Sequence, residues 1–249
     1  MKNSFQASKN IFNLVGDNTL VQIDEVVKGF KGSYYAKWEA ANPGHSNKDK
    51  IALFIIEEAE RKGLLQNDIV IIKTTFSNTG FSLAMVPLIK GYECILAVSS
   101  KSSKDKINML RTLGANVYVY PANIKANDPR SSYQVDNRAH KKTAKSVYFN
   151  QYFNKFNPLA HYQTTGPEIW KQTNGELTHL VTFSGTGGTI SGCDLFLKEQ
   201  NPVIKIIGVD AYGSVLNKYD EIQELDVNEI YPYRIDGLGK KYDSKRYIF

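Results

Sequence analysis

Hydrophobic residues along this chain follow two periods in alternation, one typical of helices and the other of strands. Over 51–61, the apolar residues Ala52, Ile55, Ile56 and Ala59 recur every three or four positions, which predicts a helix. By the same criteria, helices are expected at 80–90, 104–113, 132–143, 166–172 and 188–199, and strands at 33–39, 68–73, 93–98, 116–120, 180–183 and 204–209. The alternation predicts an α/β protein with parallel sheets and right-handed crossovers.

Composition agrees with a folded globular protein. The chain has 249 residues, of which 42% are apolar and 22% are charged, enough for one large domain or two small ones. Two cysteines, Cys94 and Cys193, lie far apart, so neither a disulfide framework nor a metal site is expected. The polar N-terminus and the lack of a long apolar run predict a cytoplasmic protein with no membrane partner.

The net charge of +6 raises the question of a nucleic-acid partner. The lysines are scattered, and the densest clusters, Lys141-Lys142 and Lys240-Lys241, form no reader motif. A solvated basic surface without a nucleic-acid partner is therefore expected. The positive field would also suit an anionic small molecule.

A lysine at a predicted helix start is the first candidate for chemistry. Asn42-Pro43-Gly44 is a turn signal, and Ser46 is expected to cap the helix that follows. Lys48 then lies in the first turn, where the helix dipole disfavours a cation and lowers the pKa of the amine. A neutral amine can form a Schiff base with an aldehyde. The alternative is an exposed lysine at a helix start, and this motif alone does not separate the two.

A glycine-rich turn between a predicted strand and helix is the second candidate. Three glycines in Gly185-Thr186-Gly187-Gly188-Thr189 allow the backbone to approach an anion at a helix N-terminus. The spacing fits neither a Walker loop nor a dinucleotide fingerprint. A phosphate site is favoured over a plain tight turn because of the strand–turn–helix context.

A third strand–turn–helix segment, Thr74 to Gly80, carries hydroxyls and an amide that could hold a carboxylate. Plain helix capping by Ser77 or Asn78 is the alternative. A lysine amine, a phosphate loop and a carboxylate loop together suit a phosphorylated aldehyde acting on an amino acid. Pyridoxal 5'-phosphate meets all three requirements.

These motifs, from about Asn10 to the end of the chain, resemble one enzyme family. The Lys37–Lys50 segment, the Asn78-Thr79-Gly80 turn and the Gly185–Thr189 loop are similar to those of the fold type II, or β-family, pyridoxal-phosphate enzymes. This family includes the cysteine synthases and cystathionine β-synthases. Further matches lie at 150–152, 160–162, 164–169, 208–210, 213–214 and 236–239, and those at 128–130 and 228–239 look closest to cystathionine β-synthases.

The resemblance implies a role for each matched residue. Lys48 would form the Schiff base and act as the catalytic residue. The cofactor would also contact Asn78 through its ring hydroxyl, the loop Gly185, Thr186, Gly187, Gly188 and Thr189 through its phosphate, and Gly237. The substrate would be bound by Thr75, Phe76, Ser77, Thr79 and Gln151.

The resemblance also implies an architecture like that of the tryptophan synthase β chain, with two open parallel α/β sheets flanked by helices. A smaller domain with the substrate loop would span 50–147, and 1–49 with 148–249 would form the larger cofactor domain. The larger domain is expected to be incomplete, because the chain stops before the family's Ser-Ser-Gly segment. A homodimer is expected from the resemblance as well.

Two departures concern the substrate loop and the N-terminus. The family's loop reads Thr-Ser-Gly-Asn-Thr-Gly, whereas Phe76 and Ser77 occupy its second and third positions here. Phe76 would crowd the carboxylate pocket or shift the loop. Near the N-terminus, the family's Gly-Asn-Thr-Pro-Leu becomes Gly16–Leu20 without a proline.

The implied reaction is a β-replacement on serine or an activated serine by a thiol. The first expectation is serine with homocysteine giving cystathionine. A cysteine synthase using O-acetylserine and sulfide would share the same site residues. A truncated or degenerate relative that binds cofactor without catalysis is the third alternative.

Overall fold

Parallel sheets form the framework of the fold in each of two units, Met1–Asn150 and Gln151–Phe249. The computed structural model describes residues 7–8, 10–65, 69–75, 78–121, 128, 141, 145–148, 154–216, 230–231, 235 and 238–239. The sequence predicts a larger domain made of residues 1–49 and 148–249, which would draw on both units. This division into domains stays a prediction.

The first unit contains a hairpin, a parallel sheet and three helices among its described residues. The strands are β1 (Leu20–Ile23), β2 (Tyr34–Lys37), β3 (Val70–Thr75), β4 (Glu93–Ser99), β5 (Asn116–Tyr120) and β6 (Ser146–Tyr148). The helices are α1 (Lys48–Arg61), α2 (Asn78–Ile89) and α3 (Lys104–Thr112). Strands β1 and β2 pair antiparallel, and the larger sheet has the parallel order β5–β4–β3–β6.

Burial explains why the central strands carry almost continuous apolar runs. Ile71 and Ile72 on β3 and Leu96 on β4 are fully buried, as expected for a parallel sheet covered on both faces. Helix α1 contributes Ile55 and Ile56 to the core of this unit and packs against α2. The carboxyl end of β3, where Thr75 pairs with Val98, leads into α2 after only two residues. Ligands of open α/β sheets commonly bind at such strand ends.

The second unit contains three helices and a two-stranded parallel sheet among its described residues. Its elements are α4 (Phe156–Gln163), α5 (Thr165–Gln172), β7 (His179–Phe183), α6 (Gly188–Gln200) and β8 (Lys205–Val209). Ile169, Cys193, Leu197 and Ile204 form its buried core. Helix α6 crosses α4 closely, which brings α4 beneath the turn between β7 and α6.

The structure confirms most of the predicted elements that lie within the described residues. Strand β1, strand β6 and helix α4 were not predicted, nor were the 3₁₀ turns at Ile11–Leu14, Glu25–Val27 and Glu39–Ala41. The predicted helix at 132–143 falls largely on residues outside those described. Of the helices described, none is both long and apolar enough to cross a membrane.

Candidate cofactor site

The turn before α1 is built from buried polar contacts. Asn42 is buried and accepts a hydrogen bond from the Gly16 amide at 2.9 Å through Oδ1. Its Nδ2 donates to the Glu39 carbonyl at 2.7 Å. The structure confirms the predicted cap by Ser46, whose Oγ accepts from the Lys48 amide, two residues further on, at 3.3 Å. Asn47, between them, has helical φ and ψ and makes no side-chain cap bond.

Lys48 is the first residue of α1, in the first turn as the sequence predicted, and it is half-buried. Its Nζ donates a hydrogen bond to Asn47 Oδ1 at 2.7 Å. Burial lowers the pKa of Lys48 to about 8, and the nearby Glu39 carboxylate opposes this shift. At pH 7, a pKa of about 8 leaves about one amine in ten neutral, against roughly one in three thousand at the ordinary value. The amine is thus prepared for attack on an aldehyde.

The charge of Glu39 is held mainly by a second lysine of the same helix. Lys50 Nζ lies 2.9 Å from Glu39 Oε1, and the lysine side chain is almost fully buried. Asn42 Nδ2 donates to the other carboxylate oxygen of Glu39 at 2.8 Å. This pairing keeps the carboxylate from acting on Lys48 as an uncompensated charge.

Helix α2 begins at Asn78, immediately after the predicted substrate loop. Thr75 closes strand β3, Thr79 is half-buried in the first turn of α2, and Gly80 is buried. This confirms the predicted strand and helix on either side of the loop, and the start of α2 has backbone N–H groups without helical partners. Phe76 and Ser77, predicted to contact substrate, lie outside the described residues.

The glycine loop of the second unit forms the predicted turn into α6. Gly187 is the N-cap of α6 with φ of +84°, a conformation that favours glycine. A Cβ on Gly188 would lie 2.1 Å from Asn157 Oδ1, so the backbone and that side chain are in close contact. Asn157 Nδ2 donates to Thr186 Oγ1 at 2.9 Å, which anchors the loop to helix α4.

A buried histidine supports the other end of this loop. His161 is fully buried on α4; its Nε2 lies 3.1 Å from Thr189 Oγ1 and its Nδ1 lies 2.9 Å from Thr165 Oγ1. Asn157 and His161 are four residues apart, which places them on one face of α4. Neither residue was predicted to have a role. Their helical spacing was the available signal, but it did not indicate which loop they would contact.

A buried hydroxyl beside the glycine loop has no partner within the part of the chain described. Ser184 Oγ is buried and makes no hydrogen bond there, while the Ser184 carbonyl accepts from the Gly239 amide at 2.8 Å. A buried polar atom of this kind normally has a partner. The predicted site residues Gln151 and Gly237 lie outside the described residues.

Comparison with known proteins identifies the family and several relatives of this chain. The sequence profile of the family "Pyridoxal-phosphate dependent enzyme" matches residues 11–249. Cystathionine beta-synthase from Apis mellifera is 41% identical over 92% of this chain and 45% of its own length. Cysteine synthase 1 from Emericella nidulans is 38% identical over 82% of this chain and 55% of its own length. The chain thus spans about half the length of these curated relatives.

A solved structure shows the same fold. A hydrogen sulfide-producing enzyme from Fusobacterium nucleatum superimposes with a TM-score of 0.85 and 34% sequence identity, covering 95% of this chain and 74% of the other. Its fold is that of the fold type II enzymes, in agreement with the parallel sheets described above. With the profile matching nearly the whole sequence, this chain belongs to the family of pyridoxal-phosphate dependent enzymes.

Proposed function

We propose that this chain holds pyridoxal phosphate through a Schiff base to Lys48 and catalyses β-replacement on serine or an activated serine by a thiol. The observation that carries the proposal is a half-buried lysine at the start of α1, where burial lowers the pKa of the amine to about 8. The family supplies the cofactor, and the two curated relatives act as precedent for sulfur amino-acid chemistry. Homocysteine is the proposed thiol, because the cystathionine beta-synthase shares 41% identity over 92% of the chain.

The residues present fit this cofactor. Lys48 offers the amine for the aldehyde, and the loop Gly185–Thr189 offers a helix N-terminus and close backbone approach for the phosphate. Ser184 offers a buried hydroxyl that lacks a partner among the described residues, and a phosphate oxygen would accept from it. Asn78, Thr79 and Gly80 at the start of α2 offer an amide and backbone N–H groups.

The chain's own residues would perform binding and proton transfer. Pyridoxal phosphate, when bound, supplies the electron sink that acidifies the Cα proton of an amino acid and allows its β substituent to leave. Lys48 Nζ would take and return the Cα proton as general base. The start of α2, with Thr75, Phe76, Ser77, Thr79 and Gln151, would hold the substrate carboxylate. Asn78 and Gly237 would orient the ring.

Two reactions are compared directly in the test of this proposal. The purified protein is incubated with serine and homocysteine, or with O-acetylserine and sulfide, and the products are separated by mass spectrometry. Cystathionine as the faster product supports the proposal. Faster formation of cysteine favours the cysteine synthase alternative, for which the 38% identity to Cysteine synthase 1 is the supporting observation. If neither pair of substrates gives a product while the cofactor is bound, the non-catalytic alternative is favoured.

A cytoplasmic location and a homodimer stay predictions.

We predict that Schiff-base formation depends on pH with a midpoint near 8. Below pH 8, the neutral fraction of Lys48 rises about tenfold per pH unit, and above it the amine is already neutral. The rate constant for appearance of the visible band, measured after mixing apoprotein with pyridoxal phosphate, should therefore rise and then level off.

The variant Glu39→Gln tests whether the environment of Lys48 sets this midpoint. Glu39 raises the pKa of Lys48, so its loss should move the midpoint to lower pH. A midpoint near the ordinary lysine value of 10.5, or one unmoved by Glu39→Gln, would contradict the assigned environment of the amine.

A further inference from the structure

Two helices that begin with proposed cofactor-binding residues are joined by a buried carboxylate. Helix α1 begins at Lys48 and helix α2 at Asn78, and the two helices pack together in the first unit. Asp49, the second residue of α1, is fully buried. Its side chain points away from solvent at the place where the two helix starts meet.

Both oxygens of this carboxylate are engaged. Asp49 Oδ2 accepts from the Gly44 amide in the turn before α1. Asp49 Oδ1 accepts from Ser82 Oγ at 2.5 Å. Ser82 is also fully buried, and its Oγ lies 3.2 Å from the carbonyl oxygen of Asn78, one turn earlier in α2. A single carboxylate therefore connects the turn before Lys48 to the first turn after Asn78.

The sequence makes room for this arrangement. A Cβ on Gly44 would lie 2.2 Å from Asp49 Oδ1, so only glycine at this position admits the carboxylate. Burial raises the pKa of Asp49, whereas the hydrogen bonds from Ser82 and Gly44 lower it. A buried carboxylate is costly unless it is hydrogen-bonded. An apolar contact would join the two helices with a smaller desolvation penalty. Such a contact is not directional, however, so it would not fix the register of α1 against α2.

We propose that Asp49 and Ser82 are positioning residues that set the register between the Lys48 amine and Asn78, and thereby hold these two groups at the separation at which they contact the aldehyde and the ring hydroxyl of one cofactor molecule. The inference rests on the proposed function, in which these two residues bind the same cofactor. A merely structural hydrogen bond would stabilise the first unit without affecting the ring hydroxyl contact.

The test compares two ligands on the full chain. Ser82→Ala removes the donor to Asp49, and Tyr92→Phe is the matched control, because Tyr92 Oη donates at 3.0 Å to Glu60 near the other end of α1. For each variant, the dissociation constant is measured for pyridoxal phosphate and for its analogue without the ring hydroxyl. Free energies of unfolding of the apoproteins are measured in urea.

We expect Ser82→Ala to weaken pyridoxal phosphate binding roughly tenfold, the usual worth of one good hydrogen bond, and to leave binding of the analogue within about twofold of the wild type. Tyr92→Phe should change neither constant. If Ser82→Ala does not fold, Ser82→Cys is measured instead, since a thiol fills the site but is a much weaker donor to the carboxylate, and a selective loss in the same direction is expected.

Equal weakening of both ligands, or no weakening of either, would overturn the positioning role and leave a structural one. These outcomes differ from failure of the proposed function, which would appear as absence of Schiff-base formation by the wild-type protein with either ligand. That result would overturn the register proposal together with the function on which it rests.

Discussion

Replacing Lys48 by alanine should abolish covalent attachment of pyridoxal phosphate and the visible absorption band of the Schiff base. The expectation follows from the position of the amine at the start of α1, its contact with Asn47 and its lowered pKa. Loss of a general base alone typically costs about 10²- to 10⁴-fold in rate, and loss of the covalent anchor adds to this. Absorption spectra of the variant with added cofactor measure the first effect, and turnover with serine and homocysteine measures the second.

The chain contains a close control for this substitution. Lys104 begins α3 in the same Lys-Asp-Lys sequence, but it is exposed. Lys104→Ala should retain both the band and the turnover of the wild type. A Lys48→Ala protein that keeps the band would show that another lysine forms the bond.

The second large effect is expected from Gly192→Ala at the crossing of α4 and α6. An added Cβ would lie 2.1 Å from the Pro158 carbonyl oxygen, 2.8 Å from His161 Cβ and 2.9 Å from the Tyr162 amide nitrogen. Two of these atoms belong to the backbone, so a side-chain rotation cannot relieve the clash and the helices must separate. We expect a loss of about 3 kcal/mol in the free energy of unfolding, at the upper end of typical overpacking.

This crossing also supports the phosphate loop. Helix α4 carries Asn157 and His161, which contact Thr186 and Thr189, so separation of α4 from α6 should weaken cofactor binding too. Urea unfolding and cofactor titration measure the two effects. Gly208→Ala is the control, because its Cβ would meet only the tip of Ile190 at 3.3 Å. Equal stability of the two variants would contradict the tight helix crossing.

The sequence was sufficient to predict the elements whose signal is local. The helix at Lys48, the turn at Gly185–Thr189 and the central strands each follow from spacing, glycine or β-branched runs within a short window. The cap by Ser46 was also predicted correctly, since its signal is a hydroxyl two residues before the amide from which it accepts. Strand β1 was missed because its four residues have no buried face.

Contacts between distant residues lie beyond such local reasoning. Asp49 and Ser82 are 33 positions apart, and His161 and Thr189 are 28 apart. Each pair joins elements whose packing depends on the whole unit. Helix α4 was missed for a related reason, because its polar residues Asn157 and His161 face the protein interior and break the usual apolar pattern. These polar contacts lie near the starts of α1, α2 and α6, where the candidate binding residues are.

The most direct measurement is the identity of the lysine that bonds the cofactor. The wild-type protein is mixed with pyridoxal phosphate, reduced with borohydride to fix the Schiff base, and digested for mass spectrometry of the peptides. A phosphopyridoxyl group is expected on the peptide that contains Lys48, and the peptide of Lys104 is expected to be unlabelled. A label on another lysine, or no stable label at all, would contradict it.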